Sequence, residues 1–262
     1  ASFSLGKQLL VITKQKDEIN NAEWNLEYVE NEDKWEILIH SDEKIDTYIK
    51  SKTDKIEFQN WDEGTLISLS MLDKLIDENN MQKSKVKFYK TVEKVKKHLA
   101  MIFHRFIEED NLQIYVNKNL LEAWNPFIRQ NPATMELACE ELFDGKTIVS
   151  IEPYILPHKT KFEDEEAFKK AGGAKDWLAH QGFYVYRNRR LIVYGTWFGK
   201  FKKEPAYNLA RIKLDMSSES DFEWGIDIKK SKATLPVSIE ESVIQIAYLA
   251  IEKSVAVYNS RG

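Results

Sequence analysis

The chain has 262 residues, of which 43% are hydrophobic and 31% charged, and its formal net charge is −4. That length allows one large domain or two modest ones with a real apolar core, in the balance typical of a globular protein. The charge excludes a bulk pull toward nucleic acid or anionic membrane, so a phosphate-binding surface has to be a local patch. No stretch approaches the eighteen apolar residues of a membrane span, so no membrane partner is expected. The opening "ASFSLGKQLL" has neither a basic n-region nor an apolar h-region, which excludes a signal peptide. It has no initiator Met and turns apolar almost at once, and the expectation is a chain cut from something longer. The single Cys139 excludes an internal disulfide, fits a reducing, cytoplasmic compartment, and is expected to be a small buried residue.

In chain order, "QLLVITK" (8–14) reads as a buried strand, short, apolar and β-branched. "EWNLEYVEN" and "KWEILIH" alternate apolar and polar residues across "EDK", which predicts an antiparallel pair. "GTLISLSML", opened by Gly64, is the next strand. From Val86 the period changes to steps of three and four through Tyr89, Val92, Val95, Leu99, Ile102 and Phe106, predicting an amphipathic helix over 84–108. "NLQIYVN" returns to strand period, and the proline-bearing "NPFIRQNPAT" (125–134) marks a boundary. Strands "KTIVSIEPYIL" and "GFYVYRNRRLIVYG" follow, on either side of a polar segment at 158–182. "ARIKLDM" and "FEWGIDI" are two more, and a helix from about Ser238 carries Ile239, Val243, Ile246, Ala247 and Ala250 on one stripe. The class is α+β, two units in series.

No self-contained catalytic site is visible. The five histidines lack metal-ligand spacing, and G-x-S-x-G, H-E-x-x-H and G-x-x-x-x-G-K-[ST] are absent. The remaining signals are basic and aromatic. "YVYRNRRLIVYG" carries Arg187, Arg189 and Arg190, and "WFGKFKKE" adds Lys200, Lys202 and Lys203 with Trp197, Phe198 and Phe201 interleaved. These read either as a local cationic surface or as a sheet edge guarded by charge. "DIKKSKATLP" (227–236) places three lysines within four positions; in an extended strand Lys230 and Lys232 share one face and Lys229 takes the other.

Taken together, three segments resemble the GHKL ATPase superfamily, most nearly its bacterial MORC-like branch. "ASFSLGKQLLVITK" is similar to the tail of the family's G-x-G-L-K-x-A-S-F-S-x-G box, and "EGTLISLSMLDKL" to its late G-T box. "QGFYVYRNRRLIVYGTW" with "WGIDIKKSKATLP" resembles the transducer domain, joined through "MIFHRFI" and "NLQIYVNKNLLEAWNPF". The resemblance implies the distal part of an ATPase sandwich with its connecting helix and strand at 1–130. It implies a ribosomal-protein-like transducer domain at 131–236 and a C-terminal helix at 237–262.

By that resemblance the transducer supplies a lysine to the ATP γ-phosphate, Lys230 first and Lys232 second, and couples nucleotide state to dimerisation or to remodelling of DNA or another partner. A lysine suits the role as a compact charge on a flexible stem. Thr65 would lie near the adenine, and Ser2 and Ser4 beside the phosphate lid. Such a protein uses ATP and Mg²⁺, forms a homodimer on ATP binding, and in the bacterial branch is associated with phage defence. The family's catalytic Glu, Mg²⁺-binding Asn and D-x-G-x-G loop have no counterpart in these 262 residues. The expectation is therefore that this chain alone binds no cofactor and does not hydrolyse ATP, and that an N-terminal ATPase portion or a complementing chain completes the site. Two further readings stay open: a non-enzymatic adaptor that binds nucleic acid through Arg187, Arg189, Lys200 and Lys202, and a scaffold for subunit association.

Overall fold

The computed structural model describes residues 4–53, 58–73, 80–227 and 233–260. The fold is mixed α+β in two compact units, residues 1–92 and 93–262. In the first, β1 (Gln8–Gln15) is the centre of a three-stranded antiparallel sheet, between β2 (Glu18–Asn25) and β3 (Glu63–Ser70). Alternation puts Leu10 and Ile12 on one face, where Ile45 and Ile49 of α2 (Asp42–Thr53) and the ring of Phe58 cover them.

Between β2 and α2 the chain departs from the expected strand pair. Asn25 accepts hydrogen bonds from the amides of Glu27 (3.0 Å) and Tyr28 (3.2 Å), and this cap starts a helix, α1 (Leu26–Glu32), where strand was predicted. "KWEILIH" forms no strand either; a single bridge joins Leu38 to Glu23, and Trp35, Ile37 and Ile39 stay exposed.

The predicted helix over 84–108 is two helices, α3 (Met81–Ile102) and α4 (His104–Glu109), broken at Phe103. The buried apolar residues of α3 are at its end, Ala100, Met101 and Ile102, while Val86, Tyr89 and Val95 are exposed. A minimal hairpin of β4 (Tyr115–Val116) and β5 (Asn119–Leu120) follows, and Phe127 of the proline-bearing segment packs into the second unit's aromatic cluster.

The second unit is built on one sheet. Its strands are β6 (Met135–Glu136), β7 (Glu140–Phe143), β8 (Ile148–Ile155), β9 (Gly182–Arg187), β10 (Arg190–Thr196) and β11 (Ala210–Met216). The order is β10-β9-β11-β8-β6, with β7 also on β8; β9 and β11 run parallel and the other pairs antiparallel. Asn188 and Arg189, both at positive φ, form the two-residue turn between β9 and β10, so Arg189 sits at the tip of a hairpin. A short helix, α5 (Glu165–Ala171), lies in the polar segment, capped by Asp164.

Helix α6 (Val237–Asn259) covers one face of this sheet. Its Ile239, Val243, Ile246, Ala247 and Ala250 meet Val149, Ile151, Val185, Ile212 and Leu214. The described part of "FEWGIDI" (222–227), predicted as strand, turns at 222–225 instead, because Gly225 takes φ +55° and Trp224 folds inward to zero exposure. Cys139 is exposed rather than buried, since it lies between the edge strands β6 and β7 with its thiol 3.4 Å from Ser150 Oγ. Among the described residues no helix is long and apolar enough to cross a membrane.

Candidate functional site

Lys230 and Lys232, with Lys229 and Ser2, lie outside the described residues. Both flanks of the lysine segment are described, and they meet. The backbone amide of Thr234 donates to the Trp224 carbonyl at 2.7 Å, and Thr234 Oγ1 donates to the same oxygen at 3.1 Å. A side chain at position 225 would put its Cβ 2.8 Å from Thr234 Oγ1, and the backbone there has φ +55°, so glycine serves the crossing twice over.

Trp224 itself is anchored. Its indole N–H donates to Asp144 Oδ2 at 3.0 Å, and Asp144 also accepts from the amides of Lys146 (2.9 Å) and Thr147 (2.8 Å). Burial works to raise the Asp144 pKa, but these donors and Ser220 outweigh it and hold the carboxyl below its usual range. Ser238 Oγ in the first turn of α6 donates to the Asp144 carbonyl at 2.7 Å. One hub thus fastens the chain before and after residues 228–232.

The other expected site residues are spread out. Thr65 is exposed on β3, opposite Thr13 of β1. Ser4 is at the surface near the other end of that strand, since Lys7 donates its amide to the Met71 carbonyl. Five strand residues from Thr65 to Ser70 span roughly 16 Å, so Ser4 and Thr65 lie toward opposite ends of β3. The cationic residues are largely compensated. Arg187 forks onto Asp221 (2.5 and 2.7 Å), Arg189 reaches Glu109 (2.6 Å) and Asp110 (3.0 Å), and Lys200 pairs with Glu240. Lys203 donates to the Ala179 carbonyl, and Lys202 is exposed.

The sheet face away from α6 carries a polar network that no sequence motif marks. Alternation along β11 sends Arg211, Lys213 and Asp215 to this face; their register partners bring Tyr154 and Glu152 from β8 and Tyr184 and Tyr186 from β9. Lys213 Nζ lies 2.7 Å from Glu152 and 3.7 Å from Asp215, and Arg105 of α4 reaches Asp215 at 2.5 Å. Burial acts to raise the Glu152 pKa, yet donation from Lys213 and Tyr154 keeps it lowered. The charges balance in place, which locks α4 onto the sheet. The signal available in advance was the strict alternation of "ARIKLDM", with one charged residue at every second position.

Arg211 is enclosed completely. Its guanidinium carbon is 5.4 Å from the Trp124 ring centre and 5.2 Å from that of Trp177, and it donates to the carbonyls of Pro126 (2.5 Å) and Ala171 (3.2 Å). Next to it His180 stacks on Tyr194 and bonds the Tyr184 hydroxyl at 3.1 Å. Gly173, at φ +87°, closes the cage; a Cβ there would fall 2.7 Å from His180 Nε2 and 2.8 Å from Trp124. A cleft of about 700 Å³ opens beside it, with Trp124, Asn125, Glu108, Phe162 and Lys170 in its wall.

Burial, then the nearby Arg211, Lys175 and Lys203, depress the His180 pKa from 6.5 to about 3. An unfolded imidazole takes up a proton near 6.5, and the folded one does not until about 3. The unfolded state therefore binds more protons in that window, so stability is full above pH 6.5 and falls toward pH 3, by about 1.4 kcal/mol per pH unit. His98, lowered by burial and by Arg190, adds to the same trend. Urea unfolding at pH 7.5, 6 and 5 measures the slope, and a His180→Gln variant should flatten it; an unchanged slope would show that His180 does not carry it.

No family model matches the chain, and no curated protein matches it. Among the described residues no group of three or more His, Cys, Asp or Glu is arranged to hold a metal ion.

Proposed function

We propose that this chain is the distal portion of a GHKL-type, MORC-like ATP-binding protein. Residues 131–236, within its second unit, act as the transducer, and Lys230, with Lys232 as the alternative, meets the γ-phosphate. The observation that carries this reading is the hub of Trp224, Asp144, Thr234 and the start of α6, which holds both ends of a short, lysine-rich span on a well-packed unit. A lysine within that span would supply positive charge where negative charge develops on a phosphoryl group. Loss of the γ-phosphate would release the contact, and the unit would pass that change on to dimerisation or to a DNA or protein partner. The nucleotide's general base, metal ligand and glycine-rich cradle come from outside this sequence. The adaptor reading draws little support, because Arg187, Arg189 and Lys200 already face carboxylates.

The test is ATP turnover with the complete nucleotide-binding portion present. Lys230→Ala is expected to lower kcat by about 100-fold, the usual effect of removing one preorganised charge, with ATP binding less affected. Lys232→Ala should show the loss if the second lysine is the one engaged. Turnover unchanged in both variants and in the double variant would overturn the proposal.

A further inference from the structure

The first unit holds a second arrangement that owes nothing to ATP. Glu23 is its one buried charged residue among those described, 5% exposed, and three side chains donate to it: Gln8 at 2.7 Å, Asn25 at 3.2 Å and His40 Nε2 at 2.7 Å. Burial acts to raise its pKa, but donation from Gln8, His40 and Asn25 outweighs that and keeps it ionised. A buried carboxylate is a poor means of stabilising a fold, and such groups concentrate where chemistry or binding needs them.

Here the carboxylate orients His40. The ring gives its Nε2 proton to Glu23, which leaves Nδ1 as an acceptor, and Lys44 Nζ donates to it at 3.0 Å. The His40 backbone is pinned as well, since it exchanges two hydrogen bonds with the Asn21 side chain. The relay thus steers the exposed Lys44 ammonium, with two donors left, over a cleft of about 540 Å³.

The rest of the lining defines what would fit. Thr47 Oγ1 donates to the Glu43 carbonyl, Ser51 Oγ to the Tyr48 carbonyl and Ser70 Oγ to Gln8. Each hydroxyl has one proton and has spent it, so toward the cleft these oxygens offer lone pairs. Leu10, Leu38 and Ile45 supply apolar wall. One ammonium with hydroxyl acceptors suits a ligand that brings one anionic group and its own N–H donors; a phosphate would find too few donors. The size is that of an ordinary small-molecule site.

We propose that this cleft binds a small zwitterion of the apolar amino-acid type, its carboxylate on Lys44, its ammonium on the hydroxyl oxygens and its side chain against Leu10, Leu38 and Ile45. Calorimetric titration of the full chain with L-leucine tests it, with 4-methylpentanoate and leucinamide as analogues lacking one charged end each. Leucine should bind, each analogue should bind roughly 10-fold or more weakly, and Lys44→Met should weaken leucine by roughly 10- to 100-fold while leaving the unfolding midpoint in place, because Lys44 is exposed. Failure of leucine to bind at millimolar concentration, indifference to Lys44→Met, or equal binding of either analogue would each overturn the assignment.

Discussion

Arg211→Ala is expected to lower the unfolding free energy of the second unit by about 3–5 kcal/mol, read as a fall in the urea midpoint at constant slope. Three effects act in the same direction. The guanidinium fills the space between Trp124, Trp177 and Tyr184, and truncation leaves a cavity that rings cannot easily close. The contact of a desolvated cation with aromatic faces is worth about 2 kcal/mol. The Pro126 and Ala171 carbonyls also lose their donor, at roughly 1–3 kcal/mol for a buried group left unpaired.

Against these stands the desolvation of a charge with no carboxylate paired to it among the described residues, the largest influence on its pKa and the reason that value is lowered. The substitution series separates the terms. Arg211→Met keeps volume and removes the buried charge, so it should cost less than alanine. Arg211→Lys keeps the charge but loses the planar stack and buries a strongly hydrated ammonium, so it should be worse than methionine. A lysine variant more stable than the methionine variant would show that charge, and not the packed guanidinium plane, holds the cage together.

The same cage shows where sequence reasoning reaches its end. Strands β1, β3, β8 and β9 were legible as short apolar runs rich in β-branched and aromatic residues, whether or not both faces are buried, and β11 by its strict alternation. Helix α6 was legible by its apolar stripe at helical period. The failures come from single local groups that override period. Asn25 caps a helix inside an alternating stretch, and Gly225 turns the chain at a residue that pattern alone would keep extended. The lysine segment stood out by composition, but its anchor joins Trp224 to Asp144 across 80 positions, and no spacing rule reports that. Arg211 had an alternation signal, yet the rings that enclose it come from positions 124, 177 and 184, gathered only by the sheet. In the first unit, Glu23, His40 and Lys44 are close in sequence, but His40 faces Glu23 only because segment 34–40 lies beside β2 by the Leu38 bridge.

Trp224 joins stability to the proposed function. Trp224→Ala should lose about 3–5 kcal/mol from the second unit, since a fully buried indole is removed and Asp144 loses a donor. That variant mixes unfolding with mispositioning, so Trp224→Phe is the more telling one. Phenylalanine retains most of the apolar burial and removes the N–H to Asp144 Oδ2, a bond to a charged acceptor worth about 1.5–3 kcal/mol. The unit should stay folded at 25 °C, while the backbone that ends the Trp224–Thr234 crossing loses its fixed height. Misplacement of a catalytic group by about 1 Å can cost on the order of 100-fold in rate. With the complete nucleotide-binding portion present, ATP turnover in Trp224→Phe should therefore fall at least 10-fold, with ATP affinity near that of the parent, and the Lys230→Ala substitution should add little on top of it. Gly225→Ala attacks the same crossing from the other side, through the strained φ and the 2.8 Å approach to Thr234, and should reproduce the loss. If folded Trp224→Phe turns over ATP at the parent rate, the hub holds the unit together without aiming a lysine, and the phosphate contact has to be sought elsewhere in the chain.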